Sequence, residues 1–513
     1  MNIQNIFIPN KIFISGIITV MLMSNSCTKL EENLNSELNE QQAQDYLSKH
    51  TDFEVLLETV YRDFDNTFCD YHNVFALQEV TTDEAIVPSR PSGWDDDGVW
   101  RALYTHTWDA DHIKIVNTYN ALNKGAFDAT NVLSFGPTTD VAAKARFLRA
   151  YFIYTLLDLY GKFPFRDPGT ELSLLPNVYE GQDAINFIIS EVEAVLNDLP
   201  ADAPDYEANK NAAYGLLARL YLNKGIYGNP SSPEFDQTDM DKVITYANLV
   251  SGKSLNFYWN NFQPNNGEIS TEIIFSDQSI GGTRNNGQQW IMYGTMLAEA
   301  TLPQGGGWDG WATTPDFYDS FTDGDIRKSY DDSVVMEKGG FNLGFIVGQQ
   351  YEPGGIVPIP NVIITEDITT MQGESNYSGV RVLKYAPDYD NPSSQNDDWI
   401  LIGYSDVLLM KAEALFRTGR ADEALDIVNN LRSNRSATPG SLAPLTSLTE
   451  ADILAERGRE LYWQDCRRTD LIRFGKFLDA RLLKPLSDPK YLLFPLPRAA
   501  VLANENLKQN PGY

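Results

Sequence analysis

RAYFIYTLLDLYG (Arg149–Gly161), AYGLLARLYLNKG (Ala213–Gly225) and VLLMKAEALFRTG (Val407–Gly419) are three versions of one helix. Counted back from each closing glycine, a packing residue stands four places before (Leu157, Tyr221, Leu415), seven before (Tyr154, Ala218, Ala412) and eleven before (Ala150, Tyr214, Leu408). Those offsets draw one stripe down one helical face. A glycine just past the last turn supplies the left-handed residue on which helices commonly stop. Each copy is therefore predicted to be an amphipathic helix that ends at its glycine.

The third copy runs straight into RADEALDIVNNLRSNR (Arg420–Arg435), whose Ala424, Val428 and Leu431 supply a facing stripe. Helix, short turn, helix, with small residues at Ala412 and Ala424, is the pattern of a tetratricopeptide hairpin. In the first two copies the partner helix is delayed by loops and falls at AINFIISEVEAVLNDL (Ala184–Leu199) and DKVITYANLVSG (Asp241–Gly252). The predicted fold is mainly α: a degenerate tetratricopeptide-like helical-repeat scaffold with a long irregular insertion containing short β segments.

Composition narrows the function. A chain of 513 residues, 42% of them hydrophobic, can bury a large core. A formal charge of −30 and no basic stripe argue against nucleic acid as a partner. Cys27, Cys69 and Cys466 lie far apart with no CxxC, so neither a disulfide framework nor a zinc site is indicated. With only 4 histidines, no metal and no cofactor is expected.

At the N-terminus Lys11 precedes the apolar run Ile12–Met23, and Ser24 and Ser26 lead into Cys27. This is the pattern of a secretory signal, too short for a permanent membrane span. Because the exit lands on cysteine, LMSNSC resembles a bacterial lipoprotein box, with residues 1–26 removed and Cys27 lipidated. Several acyl chains on one residue anchor firmly where one would not. The expected organisation is a signal peptide (1–26), a polar tether (27–40), an N-terminal repeat part (41–253), an irregular insertion (254–400), and a C-terminal repeat part with a wrapping tail (401–513). A helix is expected from about Gln41 through Tyr61.

Aromatic residues concentrate in two irregular stretches. In Thr67–His112, Trp108 reads as a plug into the core, and Trp94, between Gly93 and Asp95–Asp97, as a surface residue. Asp95–Asp97 with Gly98 lacks the spaced ligands of a calcium loop and reads as a solvated acidic turn. Within the insertion, GGTRNNGQQWIMYGTMLAEATLPQGGGWDGW (Gly281–Trp311) sets Trp290, Tyr293, Trp308 and Trp311 among Asn, Gln and Gly. Flat rings pack on the C–H faces of sugars, while hydroxyls need amide and carboxylate partners. The candidate glycan-binding residues are Trp94, Asp95, Arg101, Asn286, Trp290, Tyr293, Trp308 and Trp311. On composition alone, inner packing of a loop region accounts for the insertion's aromatics equally well.

Towards the C-terminus, Thr449 and Asp452 form a capping-box pattern. Glu456–Arg459, Asp465–Arg468 and Asp470–Arg473 follow at i, i+3, predicting ion pairs along one helical face.

Several of these segments together resemble the SusD/RagB family of outer-membrane glycan-binding lipoproteins. They are LYGKFPF (Leu159–Phe165), AAYGLLARLYLNKG, DGDIRK (Asp323–Lys328), YSDVLLMKAEA (Tyr404–Ala414), AERGRELYWQDCRRTDLIRFGK and the terminal QNPGY (Gln509–Tyr513). Gln464–Asp465–Cys466 departs from the family, which commonly has an acidic residue and glycine there. The resemblance implies four helical-repeat pairs, a shallow site for oligosaccharide or polysaccharide, no catalysis, and a lid position over a TonB-dependent SusC-like transporter. It also implies an outer-membrane protein held by its lipid anchor and facing the cell exterior. The family's binding residues vary among members, so none is carried over. Two other functions remain open: a repeat scaffold for a protein partner, and a two-carboxylate glycosidase.

Overall fold

The structure is a computed structural model that describes residues 51–513. Cys27, the tether and the start of the first expected helix lie outside the described residues. The N-terminal helices are α1 (Phe53–Arg62), α2 (Asn73–Glu79), α3 (Val99–Tyr104), α4 (Ile113–Ser134), α5 (Thr139–Tyr160), α6 (Gly181–Glu193), α7 (Lys210–Gly228) and α8 (Gln237–Leu249). After the insertion come α9 (Tyr404–Arg417), α10 (Ala421–Asn434), α11 (Glu450–Leu461) and α12 (Arg467–Arg473). The fold is mainly helical, as its repeats predict.

From α4 to α10 each of these helices packs on the next, including α8 on α9. The array is thus continuous across an insertion that leaves it at Leu249 and returns at Tyr404. Ala424, Val428 and Leu431 of α10 are fully buried, as the hairpin reading requires.

The closing glycines have two different jobs. Gly161 and Gly419 adopt φ of 72° and 78°, the left-handed region of a helix stop. Gly225 does not stop its helix, since α7 runs on to Gly228. A Cβ at Gly225 would stand 2.0 Å from the Glu234 carbonyl oxygen, so glycine is needed there for a close backbone approach. The expected amphipathicity also fails for α5. From Ala143 to Tyr160 only Arg146 escapes burial, because α1, α4, α6 and α7 all pack against it. A helix covered on every side shows little amphipathic contrast.

The insertion is closed at its base by Ile273–Asp277 pairing antiparallel with Trp399–Gly403. It also holds a three-stranded sheet (Ser329–Tyr330, Leu343–Ile346, Arg381–Leu383) and the hairpin Gly348–Tyr351 with Pro358–Ile364. The tail wraps back on the scaffold: Asn510 Nδ2 donates to the carbonyls of Tyr160 and Phe494, both at 2.8 Å. Trp108 is a core plug, 2% exposed, and its Nε1 donates to the Tyr513 hydroxyl.

The capping box of α11 forms between Thr449 and Asp452. Two of the three expected i, i+3 pairs also form, Glu456–Arg459 at 2.7 Å and Asp470–Arg473 at 2.6 Å. The third does not, because the chain breaks between α11 and α12, where Trp463 and Asp465 take φ of 56° and 59°. Arg468 turns instead to Asp158 at 3.3 Å. Asp465 keeps this left-handed conformation without being a glycine.

The pairs are not a surface lacing. Arg327 is wholly buried and bridges Asp325 (2.7 Å), Glu456 (2.8 Å) and Glu460 (2.9 Å). Arg435 bridges Glu272 (2.7 Å) and Glu460 (2.8 Å). Burial alone would raise the Glu460 carboxyl, but the charges of Arg435 and Arg327 overcome it and hold it at about 2. Two segments far apart in sequence, DGDIRK and AERGREL, are therefore two halves of one buried lock joining insertion to repeats.

Candidate functional site

One bridge brings the two aromatic stretches together. Ile86 and Ala312 exchange backbone hydrogen bonds of 2.8 and 3.0 Å, laying residues 86–97 along the loop that ends the Gly281–Trp311 segment. Two buried guanidinium groups then fix that loop. Arg381 donates to the carbonyls of Asp309 (3.3 Å), Gly310 (3.3 Å), Trp311 (2.9 Å) and Asn376. Arg90 donates to Gly310 (3.0 Å) and Ser375. Arg381 has no carboxylate partner, and burial pulls its pKa well down. Its hydrogen bonds all go to backbone.

On this frame Trp94, Trp290 and Trp308 come together, all half-buried. Trp290 and Trp308 lie nearly parallel, with centroids 5.8 Å apart and planes at 14°. Trp94, at φ 69°, donates its Nε1 to the Trp308 carbonyl at 2.6 Å. Gly310 makes room for it: a Cβ there would sit 2.1 Å from the Trp94 ring. Tyr71 adds an unforeseen fourth ring, edge-on to both Trp94 (5.8 Å) and Trp308 (5.6 Å). Its signal in the sequence was only that it is an aromatic residue in the same irregular stretch as Trp94.

The remaining candidates divide. Asp95 is exposed on the turn after Trp94, and Arg101 folds back to it at 3.4 Å. Tyr293 is 3% exposed and backs Trp308, with its hydroxyl accepting from the Gln304 amide. It supports the platform from behind and offers no face to a ligand. Trp311 is a correction: 1% exposed, it packs on Phe75, Trp100 and Trp463. The Ile86–Ala312 bridge leaves it inside the core. Asn286 is a second correction, since its side chain is buried and donates to the carbonyls of Asp277 (3.1 Å) and Asp397 (3.2 Å). It holds the base of the loop and does not reach the surface.

A small titratable cluster lies under the rings. Lys114 reaches His72 and sits 4.5 Å from the Trp100 ring centre. Burial lowers Lys114 to about 8, against the opposing pull of Asp70 and Asp96. Burial raises Asp70 to about 7, with Lys114 opposing. Burial and then Lys114 lower His72 to about 4, leaving it neutral at physiological pH. Among the described residues no group of histidine, cysteine or carboxylate side chains is arranged to hold a metal. No helix among them is long and apolar enough to cross a membrane.

Comparison with known proteins agrees with this architecture. Residues 361–485 match the SusD family, and residues 33–222 match a family described as starch-binding and associating with the outer membrane. The starch-binding protein SusD of Bacteroides thetaiotaomicron is 27% identical over 503 residues, covering 86% of each chain. Among solved structures, a SusD superfamily protein of Parabacteroides distasonis superposes with a TM-score of 0.70 at 17% identity, covering 93% of this chain and 100% of its own. Surface glycan-binding protein A of B. thetaiotaomicron, solved with laminarihexaose, gives a TM-score of 0.65 at 17% identity, covering 89% and 98%. The repeat array and these matches agree: the chain is similar to proteins of the SusD family over most of its length.

Proposed function

We propose that the protein is a non-catalytic glycan-binding lipoprotein of the outer membrane, which captures oligosaccharide or polysaccharide on the Tyr71–Trp94–Trp290–Trp308 platform. Bound glycan is passed to a TonB-dependent SusC-like transporter for uptake, with the protein anchored through Cys27 and facing the cell exterior. The observation that carries the reading is the near-parallel, partly buried Trp290–Trp308 pair, assembled with Trp94 from a stretch about 200 residues away. Partly exposed indole rings held in fixed orientation are costly to leave wet and suited to the C–H faces of sugar rings. A relative named for starch binding and a structural neighbour solved with laminarihexaose support the same ligand class. A binding role without catalysis is supported by the nature of the platform, whose exposed carboxylates Asp95, Asp96 and Asp97 are consecutive on one turn. Hydrolysis needs two carboxyl groups facing each other across a bond.

The deciding experiment is affinity electrophoresis through gels containing single polysaccharides. The wild type is expected to be retarded by at least one of them, and Trp290→Ala and Trp308→Ala to migrate freely while keeping the wild-type circular dichroism spectrum. Undiminished retardation of both variants would remove the platform from the binding site.

A further inference from the structure

We infer that the platform selects uncharged saccharides and turns away polyanionic ones, an inference that rests on the glycan-binding reading above. The rings are bordered by carboxylates. Asp95, Asp96 and Asp97 are exposed directly after Trp94, with Asp95 beside Arg101 and Asp96 accepting from the Trp100 Nε1 at 2.6 Å. Such groups accept hydrogen bonds from sugar hydroxyls, and a charged acceptor makes these bonds stronger than neutral ones.

A carboxylate or sulfate on the ligand would need the opposite: a guanidinium fork or an ammonium free to turn towards it. Among the described residues, each basic group of the platform's own elements has another partner. Arg101 is folded onto Asp95. Arg90 and Arg381 lie beneath the loop and give their donors to backbone carbonyls. Lys114 is tucked under the Tyr71 and Trp100 rings against His72. Arg284 is buried between Asp65 and Asp277, at 3.1 Å from each. An anionic glycan would meet like charge at the rim with none of these described basic groups free to pair it, on a chain whose formal charge is already −30.

The test runs the mature protein, in detergent, through native gels containing neutral polymers (amylopectin, laminarin, galactomannan) or anionic ones (polygalacturonate, alginate, carrageenan). Expected is retardation by a neutral polymer, with every anionic polymer at least tenfold weaker. The double variant Asp95→Lys, Asp97→Lys is expected to gain retardation on an anionic polymer, and a further Trp308→Ala change to remove it. Retardation of the wild type by an anionic polymer, abolished in Trp308→Ala, would overturn the charge selection and leave the glycan reading standing. Absence of retardation on every gel would overturn the glycan reading itself, and the inference with it.

Discussion

At its junction with the repeats the insertion meets α11 through charges that have no water: Arg327, Arg435, Glu456 and Glu460 are each at most 1% exposed. At the platform the same insertion presents Trp290 and Trp308, which are only partly buried. Charge sits inside and aromatic surface outside, the reverse of what solubility alone would arrange. The difference shows what each contact must do. The junction joins segments more than 100 residues apart and must be made once; each buried charge there has a partner that fixes its position. At the platform, by contrast, Trp94, Trp290 and Trp308 pack against the core and stay only partly buried.

Breaking the junction should have the largest effect. Glu460→Ala would leave Arg327 and Arg435 each short of a counter-charge in the interior, at a cost of about 3–5 kcal/mol. Denaturant unfolding is expected to show that loss, and a change below about 1 kcal/mol would mean that the lock is not a stabilising element.

Arg381→Met tests the boundary between the two regions, since this side chain is buried like the junction but lies under the platform. Four carbonyls lose a donor, for a cost of about 1–3 kcal/mol in stability. Glycan affinity should fall as well, because the 309–311 loop positions Trp308 and Trp94. Unfolding and titration of the same sample separate the two effects; a loss of stability with unchanged affinity would place Arg381 wholly on the structural side.

Trp308→Ala should do the converse. Losing a central ring is expected to weaken binding by about 1–2 kcal/mol, roughly five- to thirtyfold, measured by calorimetry against a retained oligosaccharide. Its partly buried site makes the fold less sensitive than the junction. A fall in stability as large as that of Glu460→Ala would dissolve the contrast between the regions.

The smallest effect is a pH dependence under the rings. The Asp70 carboxyl is raised to about 7 in the folded protein, so the folded state prefers it protonated and loses stability as pH rises from about 4 through 7. His72, lowered to about 4, contributes with the opposite sign, gaining stability as pH rises from about 4 to 6.5. Asp70→Asn removes the first contribution and, by removing the opposing charge beside Lys114, lowers the pKa of that ammonium further. Its stability relative to wild type should therefore grow between pH 5 and pH 8, by about 1 kcal/mol or more. A difference that does not change with pH would show that Asp70 ionises freely in the folded protein.

Much of the scaffold was legible because its signals are local. The left-handed glycines Gly161 and Gly419, the Thr449–Asp452 box and the stripe of α10 all act within a few residues of themselves. Gly225 misled because glycine answers two needs, a left-handed backbone and a close approach, and nothing nearby in sequence says which. Trp308 and Trp311 are three residues apart in the same glycine-rich setting, yet one is partly buried and the other closed within the core. Their fates depend on the bridge to Ile86 and on Arg381, both distant in sequence.

The sequence by itself determined the helical repeats, their order, the family pattern and the abundance of aromatic residues in two irregular stretches. Only the tertiary structure decided which motifs meet, as Asp325–Arg327 meets Glu456–Glu460, and which rings remain open, as Trp94, Trp290 and Trp308 do while Trp311 closes. The physical reason is range: helix propensity, capping and periodicity act over one or two turns, whereas burial and ion pairing are settled by residues brought together from anywhere in the chain.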